Sequence, residues 1–150
     1  MTPAVDALSR AGVAFTLREY KGVEVGDGDY AVEVAAALDL PPGRLFKTLL
    51  VDQDGALAVF VVPADRQLDL RSVGKRAQLA DRTKAERATG YVVGGISPFG
   101  QRRRLPTTVD ESALEWDSVL VSAGRRGLQV ELDPRELVRL TDATVARVAV

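Results

Sequence analysis

The sequence predicts an α+β fold, with a mixed, largely antiparallel β-sheet core and flanking helices. Three observations predict it. The elements run helix, strand, helix, then paired strands, helices and more strands, unlike the strict alternation of a doubly wound parallel sheet. Two apolar runs of strand length, Phe46–Val51 and Leu57–Val62, flank the turn-forming Asp52-Gln53-Asp54-Gly55 and mark an antiparallel hairpin. A chain of 150 residues with 46% hydrophobic content suffices for one core and is short for two, so residues 1–150 are expected to form a single domain.

Each element has a local cause. Thr2 before Pro3 has the form of an N-cap with proline at the first helical position, and Val5, Leu8 and Ala11 follow at near-helical spacing until Gly12. Val13–Tyr20, rich in β-branched and aromatic residues, is expected to be a strand, and the acidic, glycine-containing stretch Gly22–Asp29 a loop. Asp29 caps a helix from Tyr30 to about Leu40, which Pro41-Pro42-Gly43 stops. Helices are expected over Leu68–Leu79, opening with Asp69, and over Lys84–Ala88, with Asp81 or Thr83 as cap. Strands are expected at Tyr91–Val93 and Leu105–Val109, on either side of a glycine-rich loop. Val119–Ser122 and Leu128–Leu132 form two more around the turn Ala123–Gly127. Asp133-Pro134 starts a last helix, Arg135–Leu140, by the device used at Thr2.

Composition excludes several chemistries. With neither Cys nor His, the chain has no disulfide, no thiol nucleophile, no imidazole base and no ordinary zinc site, so any catalysis is expected to proceed without metal or cofactor. A net charge of -1 is not that of a bulk nucleic-acid binder, and any such contact must be local. Apolar runs such as Ala56–Pro63 fall well short of the roughly 20 residues of a membrane helix, and the start lacks the features of a signal peptide. No membrane partner and a cytoplasmic location are therefore expected.

Three segments stand out. In Leu45-Phe46-Lys47-Thr48-Leu49-Leu50-Val51, a cation and a hydroxyl interrupt an apolar strand, and alternation places Lys47 and Thr48 on opposite faces. Lys47 is either a lysine whose stem packs while its ammonium reaches water, or a cation projecting into a pocket, where it can grip a phosphate or polarise a carbonyl. Gly94-Gly95-Ile96-Ser97-Pro98-Phe99-Gly100 carries three glycines and a proline. It is either a tight turn or a loop whose amides bind an oxyanion, and it lacks the Gly-Lys-Ser/Thr ending of a nucleotide phosphate loop. Gly124-Arg125-Arg126-Gly127, after Ser122, is a turn with two guanidiniums that can hold phosphates or simply face solvent. Arg102-Arg103-Arg104 forms a further basic run.

Together, Phe46–Val51, the block from Thr89-Gly90-Tyr91-Val92-Val93 through Gly94–Gly100 to Gln101, and Val121-Ser122-Ala123-Gly124-Arg125-Arg126-Gly127-Leu128 resemble, in order and spacing, the signature blocks of the YbaK family. The resemblance runs essentially the whole chain. It implies the fold of the editing domain associated with prolyl-tRNA synthetase and a free-standing deacylase, typically for cysteinyl-tRNA(Pro). By resemblance, Lys47 is the essential lysine and Tyr20 the pocket tyrosine at the end of the early strand. Gly94 to Gly100 holds the aminoacyl end, and Thr48, Ser122 and Asp133 are further pocket positions. The tRNA acceptor end is the expected substrate partner, with prolyl-tRNA synthetase the candidate protein partner. One departure is clear: many relatives have a His-Asp-Pro-like sequence after Tyr20, where this chain has Lys21-Gly22-Val23-Glu24-Val25-Gly26.

The resemblance also implies a mechanism without a protein base, in which the substrate's own thiol attacks its ester carbonyl. Lys47 would bind a phosphate near the acceptor end or stabilise the oxyanion, the loop amides would orient the carbonyl, and Arg102, Arg103, Arg104, Arg125 and Arg126 would hold the tRNA backbone. Two alternatives stand beside it: a deacylase for alanyl-tRNA(Pro) or another small misacylated amino acid, and a non-catalytic module that binds tRNA or a synthetase.

Overall fold

A computed structural model describes residues 1–26 and 29–150, so the part of the expected loop at Asp27 and Gly28 lies outside the described residues. Helix α1 (Pro3–Ala11) starts where Thr2 accepts the Val5 amide through its hydroxyl, and ends at Gly12 in the left-handed conformation. Its apolar face, Ala4, Val5 and Leu8, is buried. Strand β1 (Thr16–Glu19) is shorter than expected, and α2 (Tyr30–Ala37) is capped by Asp29. A single 3-10 turn, Pro42–Arg44, leads into the hairpin β2 (Phe46–Gln53) and β3 (Ala56–Pro63), whose register pairs Lys47 with Val62 and Thr48 with Val61.

The expected helix over Leu68–Leu79 is corrected. Only one turn, α3 (Leu70–Val73), is helical, and after Gly74 the chain becomes β4 (Ala77–Leu79), paired with Val51–Gln53 of β2. Backbone pairing at the sheet edge outweighs a helical periodicity that Gly74 already interrupts. Helix α4 (Arg82–Thr89) is capped by Asp81 and closed by Gly90 at positive φ. Tyr91–Val93 is not a strand, because the amide and carbonyl of Val93 bond to side chains of Glu86 and Arg126 rather than to a ladder.

Beyond the glycine loop come β5 (Thr107–Asp110), a 3-10 turn at Glu111–Glu115, β6 (Val119–Arg125) and β7 (Leu128–Leu132). Helix α5 (Pro134–Thr141) is capped by Asp133, and β8 (Thr144–Ala146) follows. The 3-10 turn and β8 are too short to leave a periodic signal.

The strands form two sheets, ordered β1-β7-β6 and β4-β2-β3-β5-β8. Four pairings are antiparallel; β3–β5 and β5–β8 are parallel, which makes the sheets mixed and largely antiparallel as expected. β3 is flanked by β2 and β5 and is buried almost throughout, which explains why its sequence is a continuous apolar run. One core joins the two sheets through Phe46, Leu50, Val59 and Val61 on one side and Val119, Val121 and Val130 on the other, with α1 and Leu137 of α5 packed against it. The sheets touch at a parallel bridge between Leu45 and Leu120, and this seam locates the main cleft.

Candidate functional site

Beside the seam, β2 has an unpaired edge. β4 covers only Val51–Gln53, so among the described residues Phe46–Leu50 has β3 on one side and no strand on the other. The Leu50 carbonyl accepts from the Ala80 amide on that open side. Alternate residues of a strand turn their amide and carbonyl groups the same way, so Thr48 also directs its N–H and C=O there.

A cleft of about 560 Å3 runs along this edge. Its walls come from α2 (Tyr30, Ala31 and Val34), α4 (Arg82 and Ala85), the glycine loop (Val93, Gly94 and Ile96), and Ser122 and Gln129 of β6 and β7. Because the cleft wraps around a strand edge, Lys47 and Thr48 both line it although they occupy opposite faces of β2. Among the described residues the Lys47 Nζ, half-buried, donates only to the Ala64 carbonyl, at 3.4 Å, near the long limit for such a bond.

Two buried side-chain atoms lack a hydrogen-bond partner among the described residues, Thr48 Oγ1 and Gln129 Oε1, and both residues line this cleft. Both atoms are closed to solvent, so each costs about 1–3 kcal/mol within the wall itself rather than standing open to the cleft. Ser122, the register partner of Gln129, accepts the Gly124 amide at 3.1 Å and keeps its hydroxyl proton to donate.

Tyr30 faces the cleft, and its hydroxyl is bonded to that of Tyr20. Burial and this bond push the Tyr30 phenol well above its ordinary value, despite the opposing influence of Arg126, so it remains protonated and is not a base.

The expected site residues divide. Lys47, Thr48, Gly94, Ile96 and Ser122 come together at the cleft. Tyr20 reaches it only through Tyr30. Gly95 sits behind the wall, where an added Cβ would lie 2.7 Å from Arg125 Cα. Ser97 is fully buried, its hydroxyl accepting the Phe99 amide and its carbonyl accepting from Gln101. Pro98 and Gly100 line a second cavity of about 290 Å3, with Arg103 and Arg104, on the other side of the loop. Asp133 caps α5, accepting the Arg135 amide, and lies away from the cleft. Arg102, Arg103, Arg104, Arg125 and Arg126 are all exposed, and none forms an ion pair among the described residues.

Sequence reasoning missed Tyr30, Arg82 and Gln129. Only Gln129 left a signal, a polar residue between Leu128 and Val130 in an apolar strand, the same kind of interruption that singled out Lys47.

This combination of two sheets, a seam and a lined cleft defines a small mixed α+β domain built around one binding site. The chain belongs to the YbaK-type aminoacyl-tRNA editing domain family, whose profile matches residues 26–140, and thereby to the aminoacyl-tRNA deacylases. It is 34% identical over 137 residues to EbsC of Enterococcus faecalis, described as a candidate Cys-tRNA(Pro)/Cys-tRNA(Cys) deacylase, covering 87% of this chain and 84% of that one. It is 37% identical over 73 residues to a proline–tRNA ligase of Moorella thermoacetica, covering 45% of this chain and 13% of the ligase. A crystal structure described as a candidate trans-editing enzyme for prolyl tRNA synthetase superposes with a TM-score of 0.83 at 27% identity, over 97% of this chain and 94% of the other. No helix among the described residues is long and apolar enough to cross a membrane.

Proposed function

We propose that this chain is a trans-editing hydrolase that cleaves the ester of a mischarged aminoacyl-tRNA in the cytoplasm, with cysteinyl-tRNA(Pro) as its substrate. The observation that carries this is the cleft along the open edge of β2, which brings Lys47, Thr48, Gly94, Ile96 and Ser122 together. An aminoacyl ester fits that cleft: its α-ammonium donates to the Thr48 carbonyl on the open edge, while its carbonyl oxygen accepts from the loop amides or from Lys47.

No imidazole or thiol exists in the chain, and Tyr30 stays protonated, which suits the substrate-assisted chemistry that the resemblance to the YbaK family implies. The cysteinyl sulfur, as thiolate, attacks its own ester carbonyl. A C–S bond forms, the bond to the ribose oxygen breaks, and that oxygen takes up a proton. The products are tRNA and a cysteine β-thiolactone, which water opens. The protein contributes position and charge: alignment is worth up to roughly 7–11 kcal/mol in the best cases and one oxyanion donor about 3. Lys47 either stabilises the oxyanion or grips the terminal phosphate.

The backbone of the acceptor end is assigned to Arg102, Arg103, Arg104, Arg125 and Arg126. Prolyl-tRNA synthetase, a relative of which shares part of this sequence, is the proposed source of the mischarged tRNA.

The test is ester loss from cysteinyl-tRNA(Pro), beside alanyl-tRNA(Pro) and prolyl-tRNA(Pro), with wild type and Lys47→Ala. Rapid loss of the cysteinyl ester alone, abolished in a folded Lys47→Ala, is expected. Equal loss of the alanyl ester refutes the thiol step, and a folded, fully active Lys47→Ala refutes the role of Lys47.

A further inference from the structure

Two residues outside the cleft lining hold its glycine wall in place. Val93 is gripped from both sides: its amide donates to Glu86 Oε2 at 2.7 Å, and its carbonyl accepts from Arg126 Nε at 2.9 Å. The neighbouring Val92 carbonyl accepts the Gly95 amide at 2.8 Å. The peptide between Val92 and Val93 is therefore held at both ends, and the peptide between Val93 and Gly94 at its carbonyl. Across this short turn, neither the Val92 nor the Gly94 amide has an acceptor among the described residues, and of the two residues only Gly94 lines the cleft. In a planar trans peptide, N–H and C=O point in opposite directions, so a carbonyl pinned by Arg126 fixes the Gly94 N–H on the far side from Arg126.

The approach is close enough to require glycine. A Cβ on Gly94, whose φ is +93°, would lie 2.9 Å from Arg126 Nε and 2.7 Å from Val25 Cγ2. The Val93 amide holds the Glu86 carboxyl below its ordinary value, with Arg82 and Arg126 adding to the effect against partial burial, so the acceptor stays charged. Neither Glu86 nor Arg126 lines the cleft.

We infer that Glu86 and Arg126 are positioning residues that brace Val93, so that the Gly94 amide meets the developing oxyanion of the ester. This rests on the editing reading above. It gives Arg126 a duty distinct from gripping tRNA: its Nε serves the loop, and only its terminal nitrogens remain for a phosphate. It also explains why the glycine loop and the Gly124–Gly127 turn, far apart in sequence, occur together, since each is shaped to fit the other.

The test compares full-length wild type, Glu86→Ala, Glu86→Gln and Arg126→Ala by steady-state deacylation of cysteinyl-tRNA(Pro) and by amide hydrogen exchange at Val93. A displaced donor lowers kcat rather than weakening binding, so kcat is expected to fall about 10- to 100-fold in Glu86→Ala and Arg126→Ala with KM little changed. Glu86→Gln keeps a carbonyl acceptor and is expected to recover most of the rate. Exchange at Val93 should quicken in Glu86→Ala. Glu86 also bonds Arg82, a cleft residue, and Arg126→Ala leaves that contact intact, so an equal loss in both variants isolates the brace. A rise in KM alone would make Arg126 a tRNA-gripping residue and overturn the inference. Unchanged Val93 exchange in folded Glu86→Ala overturns the brace while leaving the editing reading standing. A wild type that deacylates none of the charged tRNAs, yet protects Val93, overturns the editing reading and with it the catalytic purpose of the brace.

Discussion

Gly95→Ala puts the smallest available side chain into the contact between the glycine loop and the β6–β7 turn. Its Cβ would lie 2.7 Å from Arg125 Cα, 2.8 Å from the Arg125 carbonyl carbon and 2.9 Å from the Arg126 amide nitrogen, against an ordinary contact beginning at 3.4 Å. All three neighbours are backbone, so no side chain can swing aside, and loop and turn must separate by about 0.7 Å. Overpacking of this kind costs about 1–3 kcal/mol, and a misplacement near 1 Å can cost on the order of 100-fold in rate. Gly95→Ala is therefore expected to lose about 10- to 50-fold in kcat on cysteinyl-tRNA(Pro) while still folding, with a lowered urea midpoint and an unchanged m-value. Gly43→Ala serves as control, because its Cβ meets nothing nearer than 3.8 Å. A Gly95→Ala protein with wild-type rate and stability would show that loop and turn are not in rigid contact, and the reasoning would be wrong.

Further outcomes follow from the same structure. Thr48→Val removes a buried hydroxyl with no partner among the described residues, so stability in urea should hold or rise by up to about 1 kcal/mol; a clear loss of stability would refute the orphaned hydroxyl. Asp110 is buried and accepts the amides of Val148 and Ala149 at 2.9 Å each, so Asp110→Ala strands both and should cost about 2–5 kcal/mol in urea unfolding. Burial pushes its carboxyl up, but the Ser112 hydroxyl and the amides of Val148, Ala149 and Ser112 outweigh this and hold it below the ordinary value. A folded-state pKa below the unfolded one means that Asp110 stabilises fully above about pH 4 and loses this as pH falls through the lowered value; Asp110→Asn should flatten the acid limb of the stability curve. If Arg103 and Arg104 hold phosphates, replacing each with alanine should shallow the salt dependence of tRNA binding by about 0.7 log units per lost contact, and an unchanged slope would return them to solvent.

What the sequence disclosed follows from how local each cause is. Thr2, Asp29, Asp81 and Asp133 cap helices as expected because a cap is satisfied within three residues of itself. The β2–β3 hairpin was equally legible, being set by its own turn. β4 was not, since whether Ala77–Leu79 is helix or strand depends on a free edge of β2 that no local pattern reveals. Among the candidate site residues, Lys47 and Thr48 announced themselves by interrupting an apolar strand, Gly94 and Ile96 by lying in a loop of three glycines and a proline, and resemblance drew attention to Ser122. Tyr30 and Arg82 sit on helices where a tyrosine or arginine is unremarked, and only the fold brings them to the cleft. Asp133 shows the converse: an acidic residue near a signature block whose duty is to end a loop and begin a helix.

The unpaired edge of β2 carries a risk apart from catalysis. A strand that offers free amides and carbonyls is a template for any extended chain, and sheet proteins usually blunt such edges with charge, proline or a bulge. Here the residues that would pair, Phe46–Leu50, lie along a cleft with α2 and α4 among its walls rather than along a flat border. The gap in the sheet is thus a recess rather than a flat, exposed border. Helix α4 starts at the Asp81 cap, whose carboxylate accepts the Lys84 amide at 2.8 Å, so loosening that cap disturbs a wall of the recess along this edge.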